Sequence, residues 1–278
     1  MAIRPRTALI GATACLVLLV LVWFAAFHVG FFQHADQKIY VQFGDVGDHG
    51  WVASVAGHLV SLFDPGSFIL VALVPVVVAL LRRRPWMLLA VGAILLGANL
   101  TTEVLKHLLA APRPGAFLGG ISTLPANSWP SGHSTAAMSL MMATVLVVPS
   151  RLRPLVAAVG TLLAVAVGYS VLATGIHYPS DVLGGFLVAT IWSLATVAAL
   201  RGVERWRPAG DPVPVRAVLG APGVVLAGAL VLTFVYLISR PQGAVSYARA
   251  HEAFVIGAAG IGALGLTLST GVLLSIRR

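Results

Sequence analysis

The sequence predicts a polytopic α-helical membrane bundle, and three observations predict it. Hydrophobic residues make up 58% of the 278 positions and mean hydropathy is +0.94, far more apolar surface than a soluble domain of this length uses. Apolar runs of about eighteen residues or more recur, each long enough to cross a hydrocarbon core of roughly 30 Å. The arginines stand in short clusters between those runs, which is the pattern of charge that sets topology. A transmembrane β-barrel would show short alternating segments instead. The clustering also argues against nucleic acid as the reason for the net charge of +9.

Met1–Arg6 is short and basic. Residues 7–30 follow as one apolar run, too long for the h-region of a cleaved signal peptide and therefore read as a retained first span. Residues 31–66 mix Asp36, Asp45, Asp48 and Asp64 with Phe43, Trp51 and glycines. They read as an extracytoplasmic loop with a short interfacial helix near 50–62. His34, His49 and His58 lie in it without metal-ligand spacing. Further spans are expected over 67–81, stopped by Arg82–Arg84, and over 86–108, 133–148, 155–173 and 181–200. A proline-rich linker at 208–216 leads to two more, 217–238 and 253–275. Cys15 is the one cysteine, so no intramolecular disulfide is possible.

Eight spans with the N-terminus inside put Arg4, Arg6, Arg82–Arg84, Arg151, Arg153, Arg201, Arg205, Arg207, Arg216, Arg277 and Arg278 on the inner side, thirteen of eighteen cations. The cytoplasmic excess sets this orientation, with both termini cytoplasmic. It expects a multi-pass protein of the cell (inner) membrane.

Three polar clusters then fall together on the outer face, each at the end of an apolar run. The first runs from Lys106 to Arg113-Pro114, the second is Pro130-Ser131-Gly132-His133, and the third runs from Ser170 through His177 to Asp181. Lys106 is one of only two lysines. Arg113 offers a fork of donors suited to phosphate, and Lys106 adds a point charge. Ser131 and Gly132 stand at an expected helix start, where free N–H groups and the helix dipole favour an anion. His177 and Asp181 are four residues apart and can face each other on a helical turn. Asp181 would then orient a nucleophilic His177, and His133 is free to give a proton to a leaving group. Singly, each group also has a structural reading: snorkelling cations, helix caps, or polar contacts between helices. Jointly those readings need three coincidences on one face, where boundary ionisable groups are functional by default.

The three clusters resemble the signature of the type 2 phosphatidic acid phosphatase (PAP2) superfamily, K-x6-R-P, P-S-G-H and S-R-x5-H-x3-D. The resemblance covers about residues 67–200. It implies a six-helix core plus two additional C-terminal helices, organised as 1–66 (first helix and loop), 67–207 (catalytic core) and 208–278 (linker and two spans). It implies hydrolysis of a lipid phosphate or pyrophosphate through a phosphohistidine, with no cofactor and no metal. By matching position, His177 is the nucleophile, Asp181 its orienter and His133 the acid. Lys106, Arg113, Ser131 and Gly132 bind the phosphoryl oxygens, and Ser170 joins them through its place in the third motif. The partners expected are the lipid substrate and the bilayer, not nucleic acid. Polyprenyl (pyro)phosphate, phosphatidate and phosphatidylglycerol phosphate are all candidates.

One position departs from the pattern. Val171 stands where the family has a phosphate-contacting arginine. Another cation such as Arg240 or Arg249 reaches in, or the substrate carries less charge, or activity is reduced. A phosphotransferase and a partly degenerate lipid-phosphate binding protein are therefore the alternatives.

Overall fold

The computed structural model describes residues 5–84, 86–113, 124–202, 246 and 248–276. Among them there are helices and no strands: α1 (Pro5–His28), α2 (Gly30–Gly47), α3 (Gly50–Ser61), α4 (Pro65–Leu81), α5 (Trp86–Leu108), α6 (Gly132–Val147), α7 (Arg153–Ala173), α8 (Pro179–Gly202) and α9 (Glu252–Ile276). The all-helical class is as the sequence predicts. Five of these helices, α1, α5, α7 (with the turn before it), α8 and α9, are long and apolar enough to cross a membrane. The count becomes six if α3 and α4, bent by 66° at a short break, form one span. The eight expected spans are thus not all seen. The seventh (217–238), the linker at 208–216, Pro114 and Arg240 lie outside the described residues.

The packing puts α6 at the centre. Nearly every side chain of α6 is buried, from Ser134 to Val147, because α4, α5, α7 and α8 surround it. A helix apolar all round belongs inside a bundle. Its C-terminal carbonyls meet arginines read from sequence as topology charges. Arg82 donates to Val147 O, and Arg153 donates to Leu146 O from a buried position. Cations at that end also suit the helix dipole. Helix α1 lies along α8, and α9 packs on α7, α8 and α2.

The reading of residues 31–66 as a loop needs correction. Residues 30–47 form the continuous helix α2, and the short helix expected near 50–62 is α3. The buried residues of α2 include Asp36, Phe43 and Gly47, spaced seven and four apart, which is the period of one helical face. Asp36 and Phe43 belong to that buried face, not to an irregular chain. α2 docks through Tyr40, whose hydroxyl donates to Gly175 O at 3.0 Å and whose ring stacks 4.9 Å from Tyr178. The turn between α7 and α8, which carries His177, is thereby held from outside.

Candidate active site

Three chain segments converge at the C-terminal end of α5 and the N-terminal ends of α6 and α8. Ser131 is the N-cap of α6, its hydroxyl accepting from Ser134 N–H at 3.3 Å. Serine favours this place because its oxygen satisfies an orphan donor of the first turn. The Ser131 N–H donates to the backbone oxygen of Asp181 at 2.9 Å, which joins the second cluster to the third. Gly185, one turn into α8, makes the joint possible. A Cβ there would stand 2.6 Å from Ser131 O and 2.9 Å from Thr135 N, so only glycine lets the two backbones approach.

Asp181 lies in the first turn of α8, and His177 lies just before the helix rather than within it. The four-residue spacing still brings them together: His177 Nδ1 is 3.2 Å from Asp181 Oδ2. The same oxygen accepts the Tyr178 N–H at 3.0 Å. Asp181 is therefore the acidic half of a capping-box arrangement as well as the partner of His177. Its other oxygen takes Arg113 Nη2 at 2.5 Å, and the carboxyl is fully buried. The ring of His133 stands 6.1 Å from that of His177, edge to face. Lys106 borders the same space, since a Cβ on Gly132 would meet its Nζ at 3.1 Å.

The structure thus brings Lys106, Arg113, Ser131, Gly132, His133, His177 and Asp181 together. Ser170 is turned elsewhere. Its hydroxyl donates to Ala166 O within α7 at 2.8 Å, and the residue lines a different recess beside Phe43, Trp51 and Tyr169. Val171, which takes the place of the family arginine, is fully buried in the apolar core. Arg249, named as a substitute cation, is exposed on the segment leading into α9. That segment is tied to α2 through Lys38–Glu252 and Gln42–Ala250.

Three acids in the site were not singled out from sequence. Glu103 Oε1 receives Lys106 Nζ at 2.7 Å, and their i,i+3 spacing on α5 was the available signal. Asp64 Oδ1 stands 3.0 Å from His133 Nε2. Asp36 is buried, accepting Arg113 Nη1 at 3.0 Å, Ser180 N–H at 2.9 Å and Ser180 Oγ–H at 2.6 Å. Burial pushes its carboxyl up to about 6, against the opposing pull of Arg113 and Ser180. Arg113 is thus clasped between two carboxylates, with its guanidinium 4.2 Å over the Phe27 ring. Both carboxylates sit at the N-terminus of α8, where the dipole favours negative charge.

Taken as chemistry, the site holds one histidine oriented by a buried carboxylate and a second across a short gap. A cation and a helix N-terminus stand beside them. That set suits transfer of an anionic group to and from a histidine nitrogen.

Comparison with known proteins bears on the family and the fold. Residues 87–205 match the family model of the PAP2 superfamily, which bears out the resemblance carried by the three clusters. The fold is similar to the crystal structure of a transmembrane PAP2-type phosphatidylglycerolphosphate phosphatase from Bacillus subtilis. The TM-score is 0.57 at 22% identity, over 70% of this chain and 98% of that one. No curated protein gives a significant match.

Proposed function

We propose that this chain, a multi-pass membrane protein of PAP2 type over its matched segment, is a lipid phosphatase. It would hydrolyse a lipid phosphate or pyrophosphate at the outer leaflet of the cell membrane through a phosphohistidine at His177. The observation that carries the reading is the buried His177–Asp181–Arg113 chain, with His133 6.1 Å away.

In the first step His177 Nε2 attacks phosphorus while its Nδ1–H is held by Asp181, which favours the charged ring as it forms. The bond from phosphorus to the leaving oxygen breaks, and His133 gives that oxygen a proton. Water then attacks the phosphohistidine, His133 takes a proton from it, and phosphate departs. Charge on the equatorial oxygens is met by Lys106 and the first-turn N–H groups of α6. Ser131 takes those of Ser134 and Thr135, leaving Gly132 and His133 to face the anion.

A hydrocarbon tail has room nearby. A cavity of about 530 Å³ opens between α1, α2 and the start of α8, lined by Leu21, Phe24, Phe32 and Leu183. Its polar end is Asp36 and Ser180, which also contact Arg113. An apolar recess that ends at the partners of Arg113 supports a lipid rather than a soluble ester.

Phosphate release by the purified protein in detergent and EDTA, over a panel of lipid monophosphates and pyrophosphates, tests the reading. Release should fall by a hundredfold or more in His177→Ala, and an undiminished rate in that variant would overturn it. The fate of Val171 and Arg113 favours one second reading. With no arginine at 171 and Arg113 occupied by Asp36 and Asp181, the pocket is poor in free cations among the described residues. A less charged substrate and transfer to a lipid or sugar acceptor would suit it. Labelled phosphate passing to an acceptor with little free phosphate would mark that activity.

A further inference from the structure

Asp64 occupies the N-cap of α4 with extended backbone, φ −61° and ψ 148°, followed by Pro65 at the first helical position. Aspartate is among the residues that most favour this place, because its carboxylate accepts a first-turn N–H. Here the side chain makes no cap bond. It reaches instead to a residue 69 positions away, its Oδ1 3.0 Å from His133 Nε2. The 66° bend between α3 and α4 brings the carboxylate to the start of α6. A favoured local bond is given up for a distant one at a histidine of the site.

Among the described residues, the other charged groups around His133 are few. Lys106 and Glu103 approach from α5 beside Gly132, and His177 faces it from the turn before α8. Asp181 is occupied by His177, Tyr178 and Arg113. Among the described residues, Asp64 is therefore the carboxylate that bonds directly to this ring.

We propose that Asp64 is a positioning residue for His133, forming a second histidine–carboxylate dyad opposite His177–Asp181. The inference rests on the phosphohistidine reading. Protonated His133 carries two N–H groups. The one on Nε2 donates to Asp64, which leaves the one on Nδ1 for the leaving oxygen. As the bond from phosphorus breaks, its electron pair goes to that oxygen, the Nδ1 proton follows, and His133 becomes neutral with Nε2–H still held. This fixes the tautomer whose bare Nδ1 then takes a proton from the attacking water. Asp64 itself gains and loses no proton.

Leaving-group dependence separates this role from a structural one. Wild type, Asp64→Asn and Asp64→Glu are compared on a lipid alkyl phosphate, whose alkoxide must be protonated, and on a nitrophenyl phosphate, whose phenolate leaves without a proton. Asp64→Asn should lower kcat by about tenfold or more on the alkyl ester and much less on the aryl ester. Asp64→Glu should recover part of the loss, and the high-pH limb of the alkyl-ester profile should move to lower pH in Asp64→Asn. Equal losses on both esters, or no loss on either, overturn the proposal. A second measurement needs no turnover: NMR titration of the His133 ring in a His177→Ala background, with and without Asp64→Asn. A displaced midpoint supports the dyad, and an unchanged one overturns it even if the phosphatase reading has failed on its own test.

Discussion

Removing the Asp36 carboxylate tests whether α2 is part of the site or only packed beside it. In Asp36→Ala three buried donors lose their acceptor: Arg113 Nη1, the Ser180 N–H and the Ser180 hydroxyl. A stranded buried donor costs about 1–3 kcal/mol, and removing one partner of a buried ion pair costs roughly 3–5 kcal/mol. Arg113 keeps Asp181, so the lower part of that range, about 3–4 kcal/mol, is expected. For a chain of this size it lowers the midpoint of thermal unfolding by about 10 °C. Asp36→Asn keeps the shape and one acceptor oxygen, and should lose less.

The pH dependence of stability gives this prediction its sharper form. The folded carboxyl titrates near 6 against an ordinary value of 3.8. Between those values the unfolded chain has released the proton that the folded chain still holds. Stability therefore falls as pH rises from about 4 to about 6, by roughly 3 kcal/mol, and is flat above. Asp36→Asn cannot titrate and should lack this part of the decline, while every other group contributes alike to both proteins. Thermal unfolding in detergent across pH 4–7, read as the difference between wild type and Asp36→Asn, isolates it. Parallel curves for the two proteins, or an Asp36→Ala midpoint within a degree or two of wild type, would refute the buried cluster.

Two further substitutions follow from the same geometry. Val171→Arg restores the family residue in sequence, but the side chain would enter a fully buried apolar position. The expected result is loss of a monodisperse gel-filtration peak, from a cost of about 4 kcal/mol or more, and a folded variant with raised phosphate release would contradict it. Gly185→Ala puts a methyl group 2.6 Å from Ser131 O, so α6 and α8 must separate. Stability should fall by about 1–3 kcal/mol and turnover should fall further, because the joint fixes His133 against His177; wild-type turnover in the folded variant would argue against that.

The clusters were legible because polar residues are scarce in so apolar a chain, with nine acids in 278 residues. Fixed spacing carried His177 to Asp181, since both belong to one local turn. The same logic failed for Ser170. Its motif position is right, yet its hydroxyl is satisfied by the preceding turn of its own helix, a common resting place for serine in an apolar helix. Helices α1, α5, α7 and α8 were readable from continuous apolarity. Helix α2 was not, because its polar residues masked a helical period that Asp36, Phe43 and Gly47 do show. Asp36 and Asp64 found partners 77 and 69 residues away, and no local pattern encodes a pairing across such distances. Glu103 is different: three residues before Lys106 on one helix, it could have been seen.

The clasp around Arg113 bears on how this chain could be taken apart. Asp36 and Asp64 both precede residue 87, where the match to the PAP2 family model begins. A graft of residues 87–205 onto another membrane scaffold would carry every motif residue from Lys106 to Asp181, yet it would deliver Arg113 with one of its two carboxylates missing and His133 without its own. Chimeras meant to exchange substrate preference should therefore be cut before α2. Libraries confined to the recognised motifs would search around a centre whose electrostatics are set by helices they leave unvaried.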